Sequence, residues 1–271
     1  EAGAGGTSLD WSLVFPRLAE HTTVCAYDRA GLGWSESGPG PRDLKQLAAE
    51  AEALLTAADL PQPLILVGHS FGGMVSLELA ASRNLEVAGL VLVDSVHPNL
   101  AERLPAGYSA AVDQQLSMLR WGARLHATGL PRLLFPPLRP PGLPSDIEPA
   151  ATANGYRAAT YRTAYREARS FAENPPDRPA LPLDLPLTVL SRDRPETWPP
   201  NLSADDAEMA WRQMQIELAA LSRDSTHHIV EGAGHFLSLE DPEAVAAAVL
   251  EQVERARSAQ TVTAAPRTED P

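Results

Sequence analysis

The sequence has a single cysteine and no long apolar run, and each absence excludes a class of structure. Cys25 is the only cysteine among 271 residues, so no disulfide can form within the chain. Its neighbours, Val24 and Ala26, are apolar, so a small buried core residue is its expected role. No apolar stretch approaches the roughly 20 residues that a membrane-spanning helix needs, and no membrane span is expected.

Basic residues are also scarce. The chain carries 22 Lys and Arg against 35 Asp and Glu, for a formal net charge of −13. An acidic chain without an evident basic patch argues against nucleic acid and anionic membranes as partners. The sequence lacks H-E-x-x-H, paired cysteines and the phosphate-binding G-x-x-x-x-G-K, so neither a metal nor another cofactor is expected. It leaves the oligomeric state open. No signal peptide is visible, and a cytoplasmic location is favoured.

Apolar runs that alternate with helical periodicity make up most of the chain. Continuous apolar segments at 64–67, 87–93, 187–190 and 228–230 predict buried strands, and residues 22–27 predict another short one. Helical spacing predicts helices at 43–59, 204–221 and 242–257. This alternation predicts an α/β fold, with a mostly parallel central sheet and helices on both faces. The chain opens on what reads as a loop after a strand, so further N-terminal strands are expected to be missing.

One long stretch interrupts the alternation. Prolines crowd residues 131–149 and exclude a central strand or a long helix there. Residues 108–127 and 152–173 predict helices around it, and aromatic side chains argue against disorder. We therefore predict a core of residues 1–96 and 186–257, an inserted cap over 97–185 and a flexible tail over 258–271. The cap is expected to be a mobile lid that selects the substrate, with an apolar wall supplied by Trp121, Phe135 and Tyr161.

The segment Gly68-His69-Ser70-Phe71-Gly72 is the most informative feature of the chain. It reads G-x-S-x-G, with an apolar run before it and a helical segment after it. The glycines have no Cβ atom to clash in a sharp strand-to-helix turn. Such a turn lifts the central hydroxyl above the edge of the sheet and points the N-terminus of a helix at developing negative charge. Ser70 is the predicted nucleophile.

A serine hydroxyl needs a base that removes its proton as it attacks, and His235 is the best candidate. It follows the last predicted strand within Gly232-Ala233-Gly234-His235, and a helix is predicted to begin near Asp241 and Pro242. The other histidines lie beside Ser70, in the last strand, on loops or in the cap. Their positions fit the role less well.

These segments resemble the α/β-hydrolase family over nearly the whole chain except the cap. The resemblance is carried by the loops 3–6 and 28–35, the turn around Ser70, the strand that ends at Asp94 and the loop before His235. It implies hydrolysis of esters, thioesters, lactones or amides by a serine nucleophile. It also implies an oxyanion hole formed by the backbone N–H groups of Phe71 and Ala4, with Gly3 or Gly5 in place of Ala4 as alternatives. Dehalogenases and epoxide hydrolases of this fold use an aspartate where this chain has a serine.

The carboxylate that orients His235 has two candidates. Most resembling proteins carry it about five residues past the penultimate strand, where this chain has Pro195, and Asp193 and Glu196 are the nearest acids. Others carry it at the end of the strand after the nucleophile turn, which is Asp94. That strand is expected to lie about 4.8 Å from the nucleophile strand, within reach of the same histidine. We favour Asp94, with Asp193 as the alternative.

The predicted function is that of a serine hydrolase. It would cleave a carboxylic ester or a related acyl bond of a small-molecule substrate through an acyl-enzyme intermediate. The same residues could instead transfer the acyl group to an acceptor other than water, or cleave a carbon–carbon bond. A third hypothesis is a binding module that keeps the fold and has no turnover.

Overall fold

The computed structural model describes residues 1–82, 84–174 and 183–264, and its centre is a parallel sheet. The strands are β1 (Leu64–His69), β2 (Val87–Val93), β3 (Leu187–Arg192) and β4 (Ser225–Val230). They lie in the order β1-β2-β3-β4, and each neighbouring pair is parallel. The predicted α/β class and the positions of the four strands are confirmed, but the predicted burial of the last strand is wrong, because β4 lies at the edge of the sheet with His228 and Ile229 exposed.

Helices connect and flank the strands, and several begin where the sequence predicts. Asp43 caps the second helix by accepting a 2.8 Å hydrogen bond from the backbone N–H of Gln46. None of the helices formed by the described residues is long and apolar enough to cross a membrane. A short 3-10 helix at Ser8–Trp11 precedes α1 (Phe15–Ala19), α2 (Leu44–Ala57), α3 (Phe71–Ser82), α4 (Leu100–Arg103), α5 (Tyr108–His126), α6 (Pro131–Leu134), α7 (Glu148–Gly155), α8 (Ala158–Glu173), α9 (Ala204–Ala219), α10 (Leu237–Glu240) and α11 (Pro242–Ala264).

The end of the chain differs from the prediction. Helix α11 continues to Ala264 instead of ending near residue 257, so residues 258–264 of the predicted flexible tail are helical. Residues 265–271 lie outside the described residues.

The alternation of side chains along β2 explains why helices cover both faces of the sheet. Leu90 and Leu92 join an apolar cluster with residues of α2, α3 and α9 on one face. Val91 and Val93 join a second cluster, with residues of α1 and α11, on the other face. All four side chains are fully buried. Both faces of the strand are therefore core, which is why its sequence is apolar throughout.

Residues 22–27 form no strand with any other described segment, so that prediction is wrong. A cavity of about 390 Å³ is lined by this segment and by β1, and the two backbones do not pair. A strand is defined by its ladder of hydrogen bonds, and an apolar sequence alone does not supply a partner. Cys25 is exposed here instead of buried.

The helices α4 to α8 occupy the stretch between β2 and β3 that the sequence assigned to the cap. The predicted helices at 108–127 and 152–173 correspond to α5 and α8, while α7 takes the start of the second range. The helix α8 faces the core through the buried side chains of Thr163 and Glu167. The Thr163 hydroxyl donates a 3.3 Å hydrogen bond to the carbonyl of Gly31 in the core.

Candidate active site

Two neighbouring strands end at the same edge of the sheet, and each is followed at once by a polar residue. His69 at the end of β1 is in register with Val93 at the end of β2, so Ser70 and Asp94 lie side by side. Both residues have positive φ values, 53° for Ser70 and 40° for Asp94, which are strained for residues other than glycine. The strain turns both side chains out of the sheet, toward the loop after β4.

The turn around Ser70 depends on the glycines that surround it. A Cβ atom on Gly68 would lie 2.5 Å from the Cα of Gly73, and one on Gly72 would lie 2.4 Å from the carbonyl oxygen of Glu1. The backbone carbonyl of Ser70 accepts hydrogen bonds of 3.1 Å from the N–H groups of Gly73 and Val96. The nucleophile position is therefore fixed by close backbone packing that larger residues would not allow.

Ser70, His235 and Asp94 form a continuous hydrogen-bonded chain. The Oγ of Ser70 lies 3.0 Å from Nε2 of His235, and Nδ1 of His235 lies 2.6 Å from Oδ2 of Asp94. An ionised carboxylate can only accept, so Nδ1 carries the proton that it donates to Asp94. In a neutral imidazole this leaves Nε2 as an acceptor, aimed at the hydroxyl of Ser70.

Asp94 is fully buried and held in its charged form. Burial opposes ionisation, but the hydrogen bond and charge of His235, the Arg192 guanidinium and the Trp211 indole together lower the pKa of Asp94 to about 2. Arg192 donates to Oδ2 at 2.8 Å, and Nε1 of Trp211 donates to Oδ1 at 3.0 Å. Arg192 also donates to the carboxylate of Glu208 at 2.8 Å, and this second carboxylate helps to offset the buried positive charge of Arg192.

Asp193, the alternative acid, lies elsewhere. Its Oδ2 accepts a 3.1 Å hydrogen bond from the backbone N–H of Gly232, and its own N–H donates to the carbonyl of Ala233 at 3.0 Å. Asp193 thus braces the start of the loop that carries His235 and does not contact the imidazole.

His69 supports the base from the opposite side, a role the sequence did not reveal. Its Nε2 lies 2.8 Å from the carbonyl oxygen of His235, and the two rings are 4.7 Å apart. Burial and the nearby charge of His235 lower the pKa of His69 to about 3, so it is neutral near pH 7. A neutral ring that donates from Nε2 fixes the backbone of His235 without placing a second charge beside it.

The loop of residues 3–6 borders the same space as the reacting side chains. The N–H of Gly6 donates to the carbonyl of Gly3 at 3.1 Å and closes a turn that contains Ala4. A cavity of about 240 Å³ is lined by this turn together with Ser70 and His235. Phe71 begins α3, so its backbone N–H has no partner earlier in the helix.

A buried ion pair joins this loop to the cap, and the sequence did not predict it. Nε and Nη2 of Arg29 donate hydrogen bonds to the two carboxylate oxygens of Glu167 on α8, at 3.2 and 3.0 Å. The same guanidinium donates to the carbonyls of Ala2 and Gly3, at 2.6 and 2.8 Å. Arg29 and Glu167 are 138 positions apart, a separation at which sequence offers no signal. Asp28, the residue before Arg29, accepts 2.7 and 2.8 Å hydrogen bonds from the N–H groups of Ser8 and Trp34.

The cap residues beside the catalytic groups differ from the expected ones. The cavity over Ser70 is lined on the cap side by Leu138, Arg139 and Pro140 and by residues of α7 and α8, among them Asn154 and Thr160. Trp121, Phe135 and Tyr161 are not among its lining residues, and the first two are exposed. The expected apolar wall is therefore assigned to the wrong residues, because the sequence does not reveal which face of each cap helix turns inward.

Comparison with known proteins gives the chain a family context. A family model described as "Alpha/beta hydrolase family" matches residues 2–248. The uncharacterized protein YqjL of Bacillus subtilis is 34% identical over 94 residues, which cover 35% of this chain and 37% of YqjL. RutD of Variovorax paradoxus, whose name marks it provisionally as a carbamate hydrolase, is 33% identical over 142 residues, half of each chain. The matches thus span about half or less of these relatives.

A solved structure is similar over almost the full length. An esterase from Thermogutta terrifontis superposes with a TM-score of 0.70 and covers 94% of this chain and 88% of its own, at 21% identity. At that identity the similarity concerns the fold.

Proposed function

The chain belongs to the alpha/beta hydrolase family, and we propose that it is a serine hydrolase that cleaves a carboxylic ester or a related acyl bond. The observation that carries the proposal is the unbroken hydrogen-bond chain from Ser70 through His235 to Asp94, with contacts of 3.0 and 2.6 Å. An imidazole placed between a hydroxyl and a buried carboxylate is the arrangement that makes serine nucleophilic at neutral pH.

In the proposed reaction Ser70 attacks the carbonyl carbon of the substrate while Nε2 of His235 takes the hydroxyl proton. The imidazolium is stabilised by Asp94, and it gives the proton to the leaving oxygen when the carbon–oxygen bond breaks. Water, activated by the same nitrogen, then attacks the acyl-enzyme, and the acid leaves as Ser70 recovers its proton. Each step returns His235 to its neutral form.

The negative oxygen formed during attack needs hydrogen-bond donors. We assign this role to the N–H groups of Phe71 and Ala4, with Gly3 and Gly5 as alternatives to Ala4. The support is that the turn containing Ala4 borders the cavity with Ser70, and that Phe71 starts a helix. One such donor contributes about 3 kcal/mol to the stabilisation of the transition state.

A carbamate is the second acyl substrate that we consider, since the RutD relative is named for that reaction. Carbamates and esters present the same carbonyl to Ser70 and differ in the nitrogen substituent. A panel of p-nitrophenyl esters and p-nitrophenyl carbamates would compare the two by kcat/KM.

The direct test compares the wild type with Ser70→Ala on this panel. Turnover is expected to fall by about a thousandfold or more, because no nucleophile remains. Ser76→Ala, at a buried serine on α3, is the matched control and should retain wild-type turnover. Wild-type rates for Ser70→Ala, with the fold intact by circular dichroism, would refute the mechanism.

A further inference from the structure

The cap contains a basic segment that the acidic composition of the whole chain conceals. Between Asp113 and Asp146 the sequence has four arginines and no Asp or Glu, in a chain whose net charge is −13. Arg139 pairs with Glu148 at 2.9 Å. The side chains of Arg120, Arg124 and Arg132 are exposed and form no ion pair with any described residue. The expectation of no basic patch is therefore wrong for this part of the cap.

The same segment is the most apolar surface that the described residues present. Eight of the fourteen exposed large hydrophobic side chains among them fall between positions 118 and 138. On α5 they recur with helical spacing. Leu133 on α6 is 81% exposed, and Phe135, just after α6, is 59% exposed. We call this surface the cap patch: Met118, Trp121, Leu125, Leu133, Leu134 and Phe135, with Arg120, Arg124 and Arg132.

The apolar side of α5 is not covered by any of the residues that the structure describes. His126 stacks on Tyr161 of α8 at 4.1 Å, and a Cβ atom on Gly122 would meet the ring of Tyr161 at 2.5 Å, so this side of α5 packs closely against the cap. Trp121 and Leu125 lie on the adjoining side and remain exposed. The guanidinium of Arg124 lies 5.0 Å from the Trp121 ring, at the border between the apolar and charged zones.

We propose that the cap patch docks on an anionic lipid surface. Exposed Trp, Leu and Phe side chains bordered by arginines are the composition of segments that lie in a membrane interface, where apolar groups enter the acyl boundary and cations meet lipid phosphates. Leu133, Leu134 and Phe135 are consecutive and all exposed, and a fluid lipid layer accepts such side chains without a matching groove.

The cap patch also adjoins the entrance of the candidate active site. Leu138 and Arg139, which follow Phe135 after two prolines, line the cavity over Ser70. Docking through the cap patch would bring that cavity close to the lipid headgroups. The docking itself does not depend on the proposed catalysis, so Ser70→Ala should bind lipid as the wild type does.

The test is co-sedimentation with vesicles of phosphatidylcholine alone and of phosphatidylcholine mixed equally with phosphatidylglycerol. We expect binding to the anionic vesicles only, and weaker binding when ionic strength rises from about 0.1 M to 1 M. The triple variant Arg120→Gln, Arg124→Gln, Arg132→Gln should weaken binding by about a hundredfold. The triple variant Arg17→Gln, Arg223→Gln, Arg257→Gln changes the net charge equally on the core and should bind as the wild type does.

A second variant tests the apolar half. Leu133→Ser, Leu134→Ser and Phe135→Ser combined should lower anionic-vesicle binding by at least tenfold, with the thermal transition unchanged because these side chains are exposed. The proposal is overturned if the wild type fails to bind anionic vesicles, or if both arginine variants bind equally well. It is also overturned if the serine variant merely converts a dimer to a monomer in sedimentation analysis without affecting vesicle binding, since the occupant would then be a second copy of the chain.

Discussion

At the level of single residues, three side chains hold His235 in position. Asp94 fixes its proton on Nδ1, His69 holds its backbone carbonyl, and the edge of the Trp211 ring faces it at a centroid distance of 6.0 Å. These contacts orient Nε2 toward Ser70 before any substrate arrives, and this preorganisation is what a general base requires.

The assignment of the acid leads to the first prediction. Asp94→Asn should lower kcat by about ten-thousandfold, because an amide does not hold the imidazole in the required tautomer. Asp193→Asn is the matched control, since Asp193 contacts the loop at Gly232 and not the ring. Steady-state kinetics on one ester decides between them, and a large loss in Asp193→Asn alone would reverse the assignment.

The depressed pKa of His69 predicts a dependence of stability on pH. The folded protein keeps His69 neutral down to about pH 3, while the unfolded chain protonates it near pH 6.5. The contribution of neutral His69 to the free energy of unfolding is therefore complete above pH 6.5. It is lost as pH falls toward 3, at about 1.4 kcal/mol per pH unit. Burial raises the pKa of Asp10 to about 7. As pH falls below 7, protonation of Asp10 therefore increases the free energy of unfolding, which opposes the effect of His69.

Comparison of the wild type with His69→Gln separates the effect of His69 on stability from that of Asp10. The free energy of unfolding is measured by urea titration from pH 7 to pH 5 for the wild type and His69→Gln. The gap between them should narrow as pH falls, since only the wild type loses the His69 contribution. A constant gap would mean that His69 has the same pKa in the folded and unfolded states, and would contradict the depressed pKa.

At the scale of elements, Arg29 connects the loop of residues 3–6 to α8, because its guanidinium donates to both the carbonyl of Gly3 and the carboxylate of Glu167. Glu167→Gln should lower the free energy of unfolding by about 3 kcal/mol, because it leaves the buried guanidinium of Arg29 without its main counter-charge. Glu173→Gln, on the same helix, breaks an exposed pair with Arg169 and should cost less than about 0.5 kcal/mol. Denaturant titration gives the free energy of unfolding of both variants. Equal small losses would contradict a stabilising role for the buried Arg29–Glu167 pair.

The elements also mark where sequence reasoning succeeds and fails. Strands β1 to β3 are predictable because their mostly buried side chains form continuous apolar runs, and the G-x-S-x-G pattern identifies the turn at Ser70 directly. The edge strand β4 lacks such a run, since His228 and Ile229 are exposed and only Val230 is buried. Residues 22–27 have an equally apolar sequence, but strand formation depends on a neighbouring backbone that local sequence does not specify. The Arg29–Glu167 contact is likewise a product of tertiary packing across 138 positions.

At the scale of the whole molecule, the cap closes one side of the candidate active site. Leu138→Ala would enlarge the cavity over Ser70, so relative kcat/KM should move toward longer acyl chains by about tenfold. Leu133→Ala removes a neighbouring leucine that is 81% exposed and should leave the chain-length profile unchanged. A panel of p-nitrophenyl esters provides the profile, and identical profiles for both variants would exclude a selective role for Leu138.

The central claim is that Ser70 is the nucleophile, activated by His235. Peptide mass spectrometry after treatment with a fluorophosphonate tests it most directly, since the reagent phosphonylates a serine that an adjacent base has activated. The account predicts one adduct, on the peptide that contains Ser70, with labelling abolished in Ser70→Ala and strongly slowed in His235→Ala. An adduct on another residue, or equal labelling of Ser70 without His235, would contradict it.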